Sequence, residues 1–268
     1  MQKRNYLYQE AIGGLIPALV VLCLILPLTG AWARHTLPTG FVYLSETAPS
    51  IRQDIRYMTR QNFLGRPVKG YQAATCILST PAAEALAKVQ AQAMQAGYTL
   101  KVYDCYRPQR AVNYFVDWAK RLNDQDLKPW FYPDIPKSLL FQQGYIAARS
   151  SHSRGSTVDL TLVPLHSSTK AKQPIKPAEV TDCRHPDRFL FPDDSIDMGT
   201  AFDCFDPMSH TDAPNISPQA RANRQALKRL MESHGFQNLP EEWWHFTLKN
   251  EPFPTRYFNF PVVNHKLL

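Results

Sequence analysis

The sequence lacks the short motifs by which several large classes of enzyme are recognised. It has no His-Glu-x-x-His zinc motif, no Gly-x-Ser-x-Gly nucleophile motif and no glycine-rich phosphate loop. Ser-x-x-Lys occurs at residues 167–170, but the partner motifs of penicillin-binding enzymes are missing. Any chemistry therefore has to come from residues that lie far apart in the chain.

A dense block of lysine and arginine is also absent, although the formal net charge is +7. Scattered basic residues are typical of a solvated surface, with at most a weak attraction to anionic envelope surfaces. We therefore predict no nucleic-acid partner. The chain has 268 residues, of which 44% are hydrophobic, and this is enough for one domain with a full hydrophobic core.

The first 33 residues have the pattern of a secretory signal peptide. Lys3 and Arg4 precede an apolar stretch over residues 11–28, and residues 31–33 read Ala-Trp-Ala. A basic start, an apolar core and a small-x-small end favour cleavage after Ala33. An uncleaved membrane anchor is the alternative, because the apolar run approaches spanning length. We predict export, with residues 34–268 as one folded domain that is not inserted in the membrane after cleavage.

Export changes the interpretation of the cysteines, which include no Cys-x-x-Cys pair. Removal of the first segment takes away Cys23 and leaves an even number, namely Cys76, Cys105, Cys183 and Cys204. Even numbers in an oxidising compartment favour disulfides over a thiolate metal site. Three pairings are possible. We favour Cys76–Cys105 and Cys183–Cys204, because the second pair would close a long polar loop.

Helical and strand patterns are mixed without regular βαβ alternation, which predicts an α+β fold. Three helices are predicted, one from Ser79-Thr80-Pro81 to a stop at Gly97, one from near Pro108, and one from Ser217-Pro218 to Gly235. Strands are predicted over residues 98–104, 158–163 and 243–248. Their connections are a lead-in with short strands (34–75), a loop (123–139) and a long surface excursion (164–197).

The strand over residues 98–104 is expected to be half-buried. Leu100 and Val102 alternate in it with Thr99, Lys101 and Tyr103. A period of two places the apolar pair on the core face and the other side chains on the solvent face.

The first candidate for chemistry is the stretch from Ser150 to Asp159. His152 lies among small hydroxylated residues and Gly155, which suit a tight loop. Asp159 follows between Val158 and Leu160, where a carboxylate is costly to bury unless it is paired or binds a metal. In isolation the pair has a structural alternative, with Asp159 capping a turn and His152 simply exposed.

The second candidate is the aromatic stretch from Glu241 to Phe246, in which Glu242 precedes His245 by three residues. Two imidazole nitrogens and one carboxylate oxygen form the ligand set of many catalytic zinc sites, with a fourth position left for water. A general base close to that water, but not on the metal, completes such a site, and Glu242 has this placement. The structural alternative is a tryptophan-rich core edge with solvated glutamates.

The third candidate is Arg107, which follows a predicted strand and precedes a predicted helix. Side chains at such junctions often project into a cleft, where a fixed guanidinium can stabilise an oxyanion. An ordinary surface arginine is the alternative interpretation.

Together these clusters resemble the VanX-type D-alanyl-D-alanine dipeptidases, a family of zinc D,D-peptidases related to D-Ala-D-Ala carboxypeptidases and to hedgehog-like domains. The resemblance covers nearly all of the chain after residue 33. It is carried, in order, by residues 62–67 (Asn-Phe-Leu-Gly-Arg-Pro), 103–108 (Tyr-Asp-Cys-Tyr-Arg-Pro), 110–113, 150–156 (Ser-Ser-His-Ser-Arg-Gly-Ser), 159–162, 198–200, 202–203, 209–210, 242–245 (Glu-Trp-Trp-His) and 251–252.

The resemblance implies a small, mostly antiparallel sheet flanked by helices and one zinc ion per chain. The implied metal ligands are His152, Asp159 and His245. Glu242 would act as general base and then acid, and Arg107 would stabilise the transition state. Asp203 would bind the free ammonium of the substrate, and Ser150 is a further expected substrate contact.

The implied reaction is hydrolysis of D-Ala-D-Ala to two D-alanines, here expected in the periplasm. An exported enzyme cannot intercept a cytoplasmic precursor, so turnover or scavenging is expected rather than antibiotic resistance. The alternatives are a D,D-carboxypeptidase or endopeptidase acting on peptidoglycan stem peptides, and a non-catalytic zinc-binding envelope domain. Glu242 and Arg107 together argue against the last. Residues 164–197 exceed the family's usual connection, and the oligomeric state stays open.

Overall fold

The computed structural model describes residues 37–165 and 180–264. The predicted signal peptide and the Ser-x-x-Lys match both lie outside these ranges. Within them, none of the helices has the length and apolar character needed to span a membrane.

The described residues form seven strands and five α-helices. The strands are β1 (Phe41–Tyr43), β2 (Arg52–Gln53), β3 (Ile77–Ser79), β4 (Tyr98–Asp104), β5 (Thr157–Pro164), β6 (Phe236–Leu239) and β7 (Glu242–Leu248). The helices are α1 (Leu44–Thr47), α2 (Thr80–Gln95), α3 (Gln109–Lys120), α4 (Lys128–Phe131) and α5 (Pro218–Glu232). The three helices and three strands predicted from capping signals and periodicity are therefore all present.

A five-stranded sheet with the order β2-β4-β5-β7-β6 forms the centre of the domain. Its neighbouring strands are antiparallel except for β2 and β4, which run parallel. Strands β1 and β3 form a separate antiparallel pair. The predicted α+β class with a small, mostly antiparallel sheet is confirmed.

Helices α2 and α5 contact each other and cover the sheet. Pro81 lies in the first turn of α2, where its missing N–H leaves no bond unmade, and Gly97 follows the helix with φ of +82°. Leu86 and Val89 of α2 are fully buried, and so is Leu227 of α5. Each fully buried apolar side chain of this size stabilises the fold by roughly 1.5–3 kcal/mol.

The register of the central strands places three polar side chains in one row. Asp104 at the end of β4 pairs with Asp159 of β5, and Asp159 pairs in turn with His245 of β7. The register of β4 against β5 shifts between Val102 and Asp104. A shift of this kind re-aims the side chains beyond it. The sheet thus presents two carboxylates and an imidazole side by side.

The prediction that β4 is half-buried is wrong, because both faces of the strand are covered. Lys101 keeps only 7% of its side-chain exposure, and its ammonium is bonded to Asp193 and Asp194. Tyr103 on the same face donates a hydrogen bond of 2.8 Å to Asp193. A connection remote in sequence packs over the face that was expected to be in solvent. The periodicity within the strand contains no information about that connection.

That connection belongs to residues 164–197, so the prediction of a mere surface excursion also needs correction. Cys183 and Phe189 are buried in it, and Asp193 lies over β4. The loop expected at residues 123–139 is likewise not fully irregular, since it contains α4 and a short 3₁₀ helix at Lys137–Leu139. Buried aromatic side chains, which capping and period signals do not reveal, hold both segments in place.

Two disulfides join the pairs that we favoured from the sequence. Cys76, which directly precedes β3, is bonded to Cys105, which directly follows β4. Cys183 of the long connection is bonded to Cys204. All four cysteines are buried.

Candidate metal centre

Three residues come together beside the paired strands β5 and β7, namely His152, Asp159 and His245. One potential ligand atom from each lies within 4.8 Å of the others. Nε2 of His152 lies 3.2 Å from Oδ2 of Asp159 and 3.3 Å from Nδ1 of His245. Nδ1 of His245 lies 3.0 Å from Oδ1 of Asp159. Residues 93 positions apart in the chain thus converge on one point.

The outer ring nitrogens of both histidines are already engaged. Nδ1 of His152 lies 2.7 Å from the carbonyl oxygen of Cys105, and because a carbonyl can only accept, this nitrogen carries the proton. Nε2 of His245 lies 3.2 Å from Oγ of Ser151 and is assigned as the donor to it. The inner nitrogens, Nε2 of His152 and Nδ1 of His245, are then lone pairs. This is the tautomer pattern of metal-binding histidines.

A cation fits this arrangement on its donor chemistry. Two lone pairs and a carboxylate face one another at 3.0–3.3 Å, and Oδ1 of the buried Asp159 makes no hydrogen bond. Unpartnered acceptors this close repel one another, and a shared metal ion relieves that repulsion.

A 3₁₀ helix at Ser151–Arg154 presents His152 to the site. Oγ of Ser150 caps this helix by accepting a hydrogen bond from the backbone N–H of His152. Gly155 ends it with φ of +86°, and a Cβ at this position would lie 2.2 Å from the Phe41 ring. The predicted tight loop is therefore present, and glycine is required there by both backbone conformation and space.

Asp104 stabilises this centre, although sequence analysis assigned it no role. It is fully buried and accepts hydrogen bonds from the Tyr71 hydroxyl at 2.6 Å and from Nε of Arg107 at 2.8 Å. Its Oδ2 also lies 3.6 Å from Nδ1 of His152. Asp104 thus links the outer side of His152, a candidate metal ligand, to an arginine of the site. A charged residue at the end of a buried strand was the available signal.

Arg107 lies deep in the site and is not a surface arginine. It keeps 12% of its side-chain exposure, and Nη2 is 3.5 Å from Oδ2 of Asp159. Its guanidinium carbon lies 4.9 Å from the centre of the Tyr57 ring and 5.1 Å from that of Phe115. Two aromatic faces and two carboxylates therefore fix the orientation of the cation.

Glu242 is the first residue of β7 and lies beside the metal-ligand cluster. Its Oε2 is 3.4 Å from Nδ1 of His245, and 23% of the side chain is exposed. Burial raises the pKa of this carboxyl above its ordinary value, against the opposing effect of His245. A carboxylate with a raised pKa, next to a candidate metal site but open to a pocket, is suited to accept a proton.

Asp203 is held in a conformation that is uncommon for a residue other than glycine, with φ of +61°. Both of its carboxylate oxygens lie within 3.1 Å of the Tyr57 hydroxyl, which donates to them. Burial, and next the charge of Asp159, raise the pKa of Asp203 well above its ordinary value. A buried carboxylate with one neutral donor is poorly compensated, and a cationic ligand would compensate it.

All seven predicted site residues line one cavity of about 230 Å³. They are Arg107, Ser150, His152, Asp159, Asp203, Glu242 and His245, joined by Tyr57, Phe115, Arg149, Trp244 and others. Pockets for larger ligands have roughly 300–1,000 Å³, so this one suits a small substrate. The Ser150 hydroxyl is engaged in helix capping as well as facing the cavity.

A candidate metal site, a carboxylate beside it and a buried guanidinium around one small cavity are the groups that a metallopeptidase requires. The chain belongs to the family described as D-ala-D-ala dipeptidase (Peptidase_M15), whose model matches residues 38–171 and 191–263. The family model does not match the stretch between them, residues 172–190, which lies in the long connection and includes Cys183.

Several relatives named D-alanyl-D-alanine dipeptidase are similar to this chain over most of their length. A D-alanyl-D-alanine dipeptidase of Enterococcus faecium is 37% identical over 223 residues, which cover 83% of this chain and 98% of the relative. One of Streptomyces coelicolor is 38% identical, with the same coverage of 83% and 98%. A less similar D-alanyl-D-alanine dipeptidase of Escherichia coli is 30% identical over 210 residues, which cover 78% of this chain and 85% of the relative.

Proposed function

We propose that this chain is a zinc-dependent dipeptidase that hydrolyses D-alanyl-D-alanine in the periplasm, after removal of residues 1–33. The observation that carries the proposal is the shared cavity of about 230 Å³, in which the metal-ligand cluster, Glu242 and Asp203 all face the same space. The names of the relatives supply the substrate. Zinc is favoured because two imidazoles and one carboxylate are its usual ligands in hydrolytic sites.

The roles of the side chains follow from their positions. His152, Asp159 and His245 would hold the metal, which when bound supplies Lewis acidity toward water and the scissile carbonyl. Glu242 takes the proton of the attacking water and passes it to the departing amine, because it lies beside the ligands and keeps access to the cavity. Arg107, fixed by Asp104 and by aromatic faces, directs its charge toward the developing oxyanion.

Asp203 provides the substrate anchor. Its buried carboxylate accepts hydrogen bonds from the free ammonium of the dipeptide. The positive charge of that ammonium compensates the carboxylate, which otherwise has only the Tyr57 hydroxyl as a donor. A peptide extended at its amino end has no ammonium at this distance from the scissile bond. A buried carboxylate left without its cation is costly, so the site discriminates against such peptides by more than a missing contact.

The location is proposed from the N-terminal sequence pattern and is supported by the two disulfides, which are rare in reducing compartments. In the periplasm the enzyme acts on dipeptide outside the cytoplasm, in turnover or scavenging of D-alanine. Assay of D-Ala-D-Ala hydrolysis in separated cell fractions tests this. Activity in the periplasmic fraction is expected, and activity confined to the cytoplasm would contradict it.

The catalytic proposal is tested by ninhydrin assay of D-Ala-D-Ala, L-Ala-L-Ala and a stem pentapeptide. We expect selective cleavage of D-Ala-D-Ala, lowered at least about 100-fold in Glu242→Gln while the metal content is unchanged. Glu241→Gln is the matched control, because Glu241 is the exposed neighbour in the turn just before β7. Cleavage of the pentapeptide instead would identify a cell-wall carboxypeptidase, and no cleavage by the zinc-loaded protein would leave a binding domain.

A further inference from the structure

A dipeptide carries a charge at each end, and the cavity described so far accounts for only one of them. If the substrate is a free dipeptide, as proposed above, Asp203 takes its ammonium. The terminal carboxylate also has to leave water, and burying it without a cation or several donors is costly. A second recognition group is therefore required in the same cavity.

Two arginines near the cavity already have carboxylate partners. Arg107 is bonded to Asp104 and lies 3.5 Å from Asp159. Nε of Arg154 donates to both oxygens of Glu251, at 2.8 and 3.0 Å. Neither guanidinium is free to bind a second carboxylate with full strength.

Arg149 differs from both. It lines the cavity and is exposed, and no carboxylate within the described ranges forms an ion pair with it. Its guanidinium carbon lies 5.2 Å from the centre of the Tyr257 ring. The guanidinium carbon of Arg154 lies 5.8 Å from the centre of the same ring. Stacking on an aromatic face leaves the N–H groups at the guanidinium edge open to a planar anion.

The backbone connects Arg149 to the metal centre. Ser150, the next residue, caps the 3₁₀ helix that carries the metal ligand His152. Arg149 therefore directly precedes the capped turn that carries His152, and both residues line the same cavity. Asp203 comes from a different segment of the chain.

We propose that Arg149 binds the C-terminal carboxylate of the dipeptide, opposite the ammonium bound by Asp203. The two charges then measure the length of the substrate. A peptide with a blocked carboxyl end lacks the first contact, and one extended at its amino end lacks the second. Arg149 is thus a specificity-determining residue for free dipeptides. Two of its N–H groups donate hydrogen bonds to the two oxygens of the terminal carboxylate.

The test compares D-Ala-D-Ala with its C-terminal amide in the zinc-loaded wild type, Arg149→Gln and Arg149→Lys. Wild type should prefer the free acid. In Arg149→Gln the KM for the acid should rise about 10- to 100-fold with kcat nearly unchanged, while the amide is cleaved as before. Arg149→Lys should recover part of the preference, because it keeps the charge but loses the planar fork.

Arg256→Gln is the matched control. Arg256 is also exposed and stacked on an aromatic ring, with its guanidinium carbon 4.5 Å from the centre of Phe258, but it does not line the cavity. It should leave the preference for the acid intact. Equal cleavage of acid and amide by wild type, or equal losses for both in Arg149→Gln, would overturn the proposal. A wild type that cleaves no D-Ala-D-Ala refutes the proposed function instead, so the two failures are distinguishable.

Discussion

The cavity has two halves that are built in different ways: the candidate metal half, with Asp159 and His245, and the proposed substrate half, with Asp203. Asp159 and His245 are paired across neighbouring strands, so backbone hydrogen bonds of the sheet set their spacing. Asp203 lies in an irregular segment at φ of +61°, and it is held by Tyr57 and by the disulfide of the adjacent Cys204. Where the sheet supplies no ladder, a covalent bond and a buried hydrogen bond hold the carboxylate.

Each half nevertheless has its own disulfide next to a buried carboxylate. Cys105 follows Asp104, and its carbonyl accepts the hydrogen bond that orients His152. Cys204 follows Asp203. The pairs enclose similar separations of 29 and 21 residues, so chain entropy predicts similar stabilisation of about 3–4 kcal/mol for each. Their effects on catalysis should differ, because they support different halves.

The largest effect is expected from loss of a metal ligand. His245→Ala should lower metal content and reduce kcat/KM by more than about 100-fold, since even outer-shell changes cost 10- to 100-fold. Elemental analysis of the purified protein and the dipeptide assay measure both. His234→Ala is the control, because His234 bonds to Gln92 away from the cavity. Full metal content and activity in His245→Ala would remove this histidine from the ligand set.

Removing the first disulfide should weaken metal binding about tenfold. In the double variant Cys76→Ala with Cys105→Ala, the carbonyl that holds the His152 ring is freed from its cross-link. Competition with a chelator measures the metal affinity. An unchanged affinity in a folded variant would show that the sheet alone positions this half.

Removing the second disulfide should act on the substrate instead. In the double variant Cys183→Ala with Cys204→Ala, we expect KM for D-Ala-D-Ala to rise several-fold while metal affinity stays at the wild-type value. The reason is that the residue next to Asp203 is no longer held by a disulfide. Steady-state kinetics and the chelator titration give both quantities. Equal effects of the two disulfide variants on KM and metal affinity would abolish the distinction between the halves.

The smallest effect concerns stability in acid, away from the cavity. Burial alone would raise the pKa of Asp193, but Lys101 and Arg56 hold it below the ordinary value of about 3.9. Its contribution to stability is therefore full above that value and is lost as pH falls through the lower folded pKa. Urea unfolding from pH 5 to pH 3 should show a steeper loss in wild type than in Asp193→Asn. Asp187→Asn, at an exposed site, should behave as wild type.

Local patterns predicted the regular elements well, and they singled out the residues that cluster in the candidate metal half. Capping residues and periodicity lie within the segments they govern, so α2 and β7 were found close to their observed bounds. What was missed depends on distant contacts. The burial of Lys101 requires Asp193, some 92 residues away, and the role of Asp104 requires Tyr71 and His152. No pattern within one strand or helix contains that information.

The pairing of Asp159 with His245 has a consequence for how the sheet opens. One ion bound to both residues has to be released before β5 and β7 can separate, so metal binding and strand opening are linked equilibria. Each tenfold excess of free metal over its dissociation constant adds about 1.4 kcal/mol to the opening free energy of this pair. The amide hydrogens of Val158 and Phe246 should then exchange with solvent more slowly as the metal occupancy of the site rises.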